Sequence, residues 1–137
     1  MRMKQLVMSA VLFGACLVLQ GCAVLLVGAA AAGATGGAVS YYGNELQTIH
    51  EVTIDRAWTA AQAATSELQF TTEPNRCRKD GVRALLFCRN AEHQQVLIQL
   101  ARRADKLTEI RVRVGMFDTT SNRQGAQLVY DKMRARM

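Results

Sequence analysis

The chain has 137 residues, half of them hydrophobic, 6% aromatic and 20% charged, with a formal net charge of +6. That length suits one small domain and excludes two of ordinary size. Its basic residues are dispersed among acidic ones, without a dense Lys/Arg run or aromatic-basic interleaving, which argues against nucleic acid as the partner.

The chain opens with Arg2 and Lys4, then an apolar run from Leu6 to Leu19, then Gln20-Gly21-Cys22. A basic start, a short apolar core and a small residue before a cysteine is the order an export signal takes when it ends at a lipid-acceptor thiol. Leu19-Gln20-Gly21-Cys22 resembles the lipobox of bacterial lipoproteins. That resemblance implies cleavage between Gly21 and Cys22, fatty acyl chains on Cys22, and a mature chain of 116 residues. Loss of Arg2 and Lys4 takes its charge to +4. The rival readings are an uncleaved anchor helix and an ordinary secretory signal in which Cys22 is incidental. The charge-free stretch runs on through Val39, 34 residues in all, whereas one helix needs about 20 to cross a bilayer. The excess favours two segments, one removed and one kept.

Residues 22–44 form the lipidated start and a Gly/Ala-rich, membrane-proximal segment. Gly33 and Gly37 have the small-xxx-small spacing that lets helices approach closely in lipid. The segment is either a self-associating membrane helix or a flexible apolar tether, since glycines weaken any helix in water. Tyr41 and Tyr42 follow, an aromatic pair suited either to a headgroup interface or to first contact with a core.

The folded domain is expected over residues 45–137. Leu46 to Val52 reads as a first strand. Ile54, Trp58, Ala61, Thr65 and Leu68 then recur at helical spacing from a start near Thr53 or Asp55, with Trp58 as a mostly buried anchor. Gln69 to Glu73 can form a second strand before Pro74-Asn75 breaks it, Lys79-Asp80-Gly81 turns the chain, and Arg83 to Arg89 resumes extended structure. Val96, Ile98 and Leu100, then Ile110, Val112 and Val114, alternate with Gln95, Leu97, Gln99, Glu109, Arg111 and Arg113, predicting an antiparallel hairpin with one buried and one wet face. The two arginines fall on the wet face, where they solvate the sheet or form a binding patch. Ser121-Asn122-Arg123-Gln124 reads as a capping box for a last helix whose inward stripe is Ala126, Val129, Tyr130 and Met133. The expected fold is therefore α+β: an antiparallel sheet of four to five strands with two helices packed on one face, in the order β-α-β-β-β-β-α.

Cys77 and Cys88 are the thiols left in the domain. In an exported protein they are most simply one disulfide, adding about 3 kcal/mol by chain entropy; two separate buried thiols are the alternative. His50 and His93 match no zinc spacing, so no metal is expected. No nucleophile elbow, HExxH, phosphate loop or paired carboxylates occur, so no catalytic residue is assigned and the covalent lipid on Cys22 stands where a cofactor would.

The Gly21-Cys22 junction, the Gly/Ala tract, Leu46 before the Asp55-Arg56-Ala57-Trp58 helix start, and the strand Ile110 to Gly115 before a terminal helix together resemble a family of small bacterial lipoproteins carrying a domain of unknown function. The resemblance implies an envelope location and an α+β fold. Ala23, which is not aspartate, favours the outer membrane by analogy, with the domain in the periplasm and inner-membrane anchoring as the alternative. The leading expectation is a non-enzymatic lipoprotein whose partners are membrane lipid and an envelope protein or component. A membrane-active or self-oligomerising protein acting through the Gly/Ala-rich segment with Gly33 and Gly37, and a periplasmic hydrolase or ligand carrier, are the rival functions.

Overall fold

Alternating apolar and polar residues over 95–114 build the centre of the sheet, and the other described elements pack on or beside it. The computed structural model describes residues 38–137. Gly21, Cys22, Gly33 and Gly37 lie outside the described residues.

Among the described residues seven strands and two helices follow in chain order: β1 (Ser40–Tyr42), β2 (Glu45–His50), α1 (Ile54–Glu67), β3 (Thr71–Thr72), β4 (Arg78–Lys79), β5 (Arg83–Arg89), β6 (Gln95–Ala104), β7 (Leu107–Val114) and α2 (Thr120–Arg134), with a 3-10 turn at Pro74–Arg76. All strand pairs are antiparallel, in the spatial order β1-β2-β7-β6-β5-β3, with β4 also on β5. The fold is α+β as expected, with a higher strand count because the short strands β1 and β4 are added; the expected second strand is present but shortened to the two residues of β3. Gln69 does not open a strand. It takes φ of 57°, and the amides of Gln69 and Phe70 donate to Ser66 O and Thr65 O, the paired bonds of a Schellman cap that ends α1.

One sheet face is dry. Leu46, Leu86, Cys88, Val96, Ile98, Leu100, Ile110, Val112 and Val114 are buried there beneath Ala57, Ala61 and Ala64 of α1 and Ala126, Val129, Tyr130 and Met133 of α2. The inward stripe of α2 is the expected one. That of α1 is turned toward its alanines, whose small side chains let the helix approach closely, and Trp58 packs half-buried at the rim. Thr53 caps α1, its hydroxyl accepting from the Arg56 amide at 3.2 Å. At α2 the cap is Thr119, not Ser121. Thr119 has extended backbone and accepts from the Asn122 amide at 3.2 Å, while Ser121 lies inside the first turn.

Two buried polar pairs sit within this core. His50 Nε2 lies 2.6 Å from Tyr130 Oη, with both side chains buried. Thr108 Oγ1 donates to Val52 O at 2.8 Å, fastening β7 to the chain that enters α1. Burial first, and then the nearby Arg134 charge, hold His50 below the usual histidine pKa of 6.5. The unfolded chain therefore takes up a proton that the folded chain refuses, so stability falls as pH drops below about 6.5 toward the folded pKa. Glu67, Glu73, Asp80, Glu109 and Asp118 all sit below their usual carboxylate values, so their contributions are lost only further down, below about 4.5. Urea midpoints measured against pH should show two descents, and H50F should remove the upper one alone. An unchanged upper descent in that variant would refute the assignment.

Cys77 and Cys88 are both free, so the expected disulfide is not formed. Each thiol has its own surroundings. Cys77 Sγ donates to Glu73 O at 3.2 Å and accepts from the Phe87 amide at 3.4 Å, at the edge of β5. Cys88 alternates to the dry face and lies 3.6 Å from Thr72 Oγ1. Burial pushes the Cys88 thiol up, which makes it a poor nucleophile.

Candidate functional site

Both helices cover the same face, so among the described residues the other face of the sheet carries no α-helix, and strand register decides which side chains meet there. Three cross-strand rows result. Tyr42, Glu45, Arg113, Leu97 and Phe87 form the first; Ser40, Gln47, Arg111, Gln99, Leu85 and Arg78 the second; Ile49, Glu109, Ala101 and Arg83 the third. Residues directly opposite on one face have Cβ atoms about 5 Å apart, close enough to act together.

Around the second and third rows the face is concave. A cavity of about 590 Å³, open to solvent, is lined by Arg78, Arg83, Arg102, Arg103 and Arg111 against only Asp80 and Glu109. Glu109 organises it. Arg111 Nε donates to Glu109 Oε1 at 2.6 Å, and the Arg103 guanidinium pairs with Oε2. The two arginines fold over the carboxylate and leave Glu109 only 7% exposed. Burial would raise Glu109, yet the hydrogen bonds from Arg111 and Arg103 outweigh it and hold the carboxyl below its usual value. The group is a fixed anion whose own charge is already met twice. Asp80 is engaged too, its Oδ1 accepting from the Val82 and Arg83 amides at 2.7 Å, and Arg102 pairs with Asp105. Among the described residues Arg78 and Arg83 form no salt bridge, and both are exposed at the cavity wall.

Chemically this arrangement can bind an anion. Guanidinium groups converging on a concave surface match the paired oxygens of carboxylate and phosphate. Among the described residues no group of three or more His, Cys, Asp or Glu could hold a metal ion. His50 is committed to Tyr130, and His93 lies exposed in the Asn90–Gln94 turn with φ of 61°. No helix among the described residues is long and apolar enough to cross a membrane.

Of the residues singled out from sequence, Arg111 belongs to the concavity and Arg113 stands on the same face toward its other end. Arg78, Arg83, Arg102, Arg103 and Glu109 were missed as a group. They come from β4, β5, β6 and β7, and only register unites them. The one signal available was that Glu109 and Arg111 share the parity of a wet face.

A search of curated proteins finds no match. The family model described as "Protein of unknown function (DUF3568)" matches residues 5–124, which takes in the whole sheet and the start of α2. By that match over most of its length, the chain belongs to this family.

Proposed function

We propose that this protein is a non-enzymatic, lipid-anchored binding module of the bacterial envelope. Cys22 carries the acyl chains, the outer membrane is the site of anchoring, and the domain offers its open sheet face to an anionic envelope component bearing phosphate or carboxylate groups. The observation that carries this reading is the arginine-lined concavity: five guanidinium groups face two carboxylates, each already hydrogen-bonded. The leader supports the anchoring half, through the basic start, the apolar core and Gly21-Cys22.

Intact mass of the native product, compared with C22A, tests the anchor. The expected result is acyl mass on a chain beginning at Cys22, absent in the variant; a chain still starting at Met1 with that thiol unmodified overturns it. Titration with inorganic tripolyphosphate and with a glutamate-rich peptide tests the concavity. Replacing Arg83 by glutamate should weaken binding about tenfold, the scale of one charge-assisted contact, and binding should fall with added salt. E109Q, which releases Arg103 and Arg111 from their fixed partner, should bind more tightly. Probe affinity indifferent to R83E, R78E and salt would refute the site.

A further inference from the structure

We propose that Tyr42, Met116 and Phe117 form an apolar knob that seats in the headgroup boundary of a lipid bilayer and so orients the domain on its membrane. The inference rests on the anchoring reading above for the bilayer's proximity, and on separate residues for the contact itself.

These three side chains are 83%, 77% and 75% exposed, far more than the other large apolar residues on the surface of α2 or β2, such as Leu128 and Ile49. Scattered exposed apolar residues need no explanation, but a cluster does. The structure gathers them. Asn44, two residues after Tyr42, donates from Nδ2 to Val114 O at 3.3 Å and Gly115 O at 3.1 Å, tying the β1–β2 turn to the chain just before Met116.

The loop bearing Met116 and Phe117 is also held in place. The Gly115 amide donates to Gln95 O at 2.8 Å, the Asn122 side chain donates to Phe117 O at 2.8 Å, and the Thr119 amide reaches the same carbonyl at 3.0 Å. Asn122 is buried and fills the space beneath Gly115. With the loop backbone already held, only side-chain rotamers are left to order on contact, which favours a built binding surface over accidental exposure.

A lipid surface is the occupant that fits. Fifteen residues lie between Cys22 and Ala38, so at full extension an acylated Cys22 keeps the start of the domain within about 55 Å of its bilayer. Tyrosine suits the interface, where its apolar ring and polar tip are both satisfied, and phenylalanine and methionine suit the apolar side of that boundary. Arg113, exposed and in no salt bridge among the described residues, stands in the same cross-strand row as Tyr42 and supplies a cation for phosphate headgroups. The knob lies at the Val114 end of β7 and the arginine concavity toward its Leu107 end, so seating the knob turns the concavity toward the periplasmic side.

The test places tryptophan at the knob. Full mature chains carrying F117W or Y42W, with native Trp58 as background, are bound to phosphatidylethanolamine–phosphatidylglycerol vesicles with brominated or plain acyl chains. Two anchors are compared: the cell-derived acylated product, and a hexahistidine tether at residue 22 on nickel-chelating lipid. Expected is a blue shift and a loss of emission on brominated lipid for F117W and Y42W, with L128W on α2 matching the native chain. Emission of F117W no more quenched than that of L128W on vesicle-bound protein overturns the proposal and would mark the knob as a protein contact. Quenching on the tether alongside an unmodified Cys22 in cells would sink the acylation while leaving the knob intact.

Discussion

Replacing Tyr130 by alanine is expected to lower unfolding stability by about 3–5 kcal/mol, the range for removing a large aromatic from a close-packed core. Tyr130 is 1% exposed and sits on the inward stripe of α2 with Val129 and Met133, packed against the sheet. Its loss also strips His50 of the hydroxyl 2.6 Å away, and His50, 7% exposed, has little access to water as a substitute. Y130F separates the two effects. It keeps the ring and removes only the hydroxyl, so it should cost about 1–2 kcal/mol, the price of a buried polar group left without its partner. L128A, on the outer surface of the same helix, should change little. Urea denaturation of the three variants measures all of this. If Y130A proved no worse than Y130F, the packing contribution assigned to the ring would be refuted.

The same core shows why sequence reading reached some elements and not others. The hairpin of β6 and β7 was legible because period-two alternation leaves no other way to bury Val96, Ile98, Leu100, Ile110, Val112 and Val114 together. The stripe of α2 was legible for the same reason at period 3.6. Helix α1 was harder: Trp58 is the largest apolar residue on it and drew the expected stripe toward itself, whereas alanine carries little hydrophobic signal despite its value for close approach. Strand β1 is three residues long and exposed throughout, so no alternation marks it; it forms by pairing Ser40 to Tyr42 with Gln47 to Glu45. The cysteines failed for a different reason, because spacing along the chain says nothing of where strand parity sends each thiol. The concavity depended on register. Glu109 reads as one more wet-face residue until Ala101 is set opposite it and Arg83 opposite Ala101, which brings the arginines of four strands around one carboxylate.

Gly115→Ala is the second large effect, expected to cost about 3–4 kcal/mol. Gly115 has φ of +68°, a conformation that costs an L-residue roughly 1–2 kcal/mol. Space makes matters worse: a Cβ there would lie 2.5 Å from Asn122 Nδ2 and 2.9 Å from its Cγ. Asn122 cannot yield without loss. It is 5% exposed, its Nδ2 donates to Phe117 O at 2.8 Å, and its Oδ1 accepts from Gln94 Nε2 at 3.3 Å, so displacing it breaks hydrogen bonds worth about 1 kcal/mol each. The clash and the strain can be told apart by a double-mutant cycle. N122A removes the obstructing amide along with its bonds, so G115A/N122A should be less destabilised than the sum of the two single variants, the shortfall measuring the clash. Strictly additive costs would mean that backbone conformation alone makes glycine necessary. Because the same Asn122 holds the Phe117 carbonyl, G115A should also loosen the loop that presents Met116 and Phe117, seen as faster amide exchange from residues 116–118 at a denaturant concentration where the sheet remains protected.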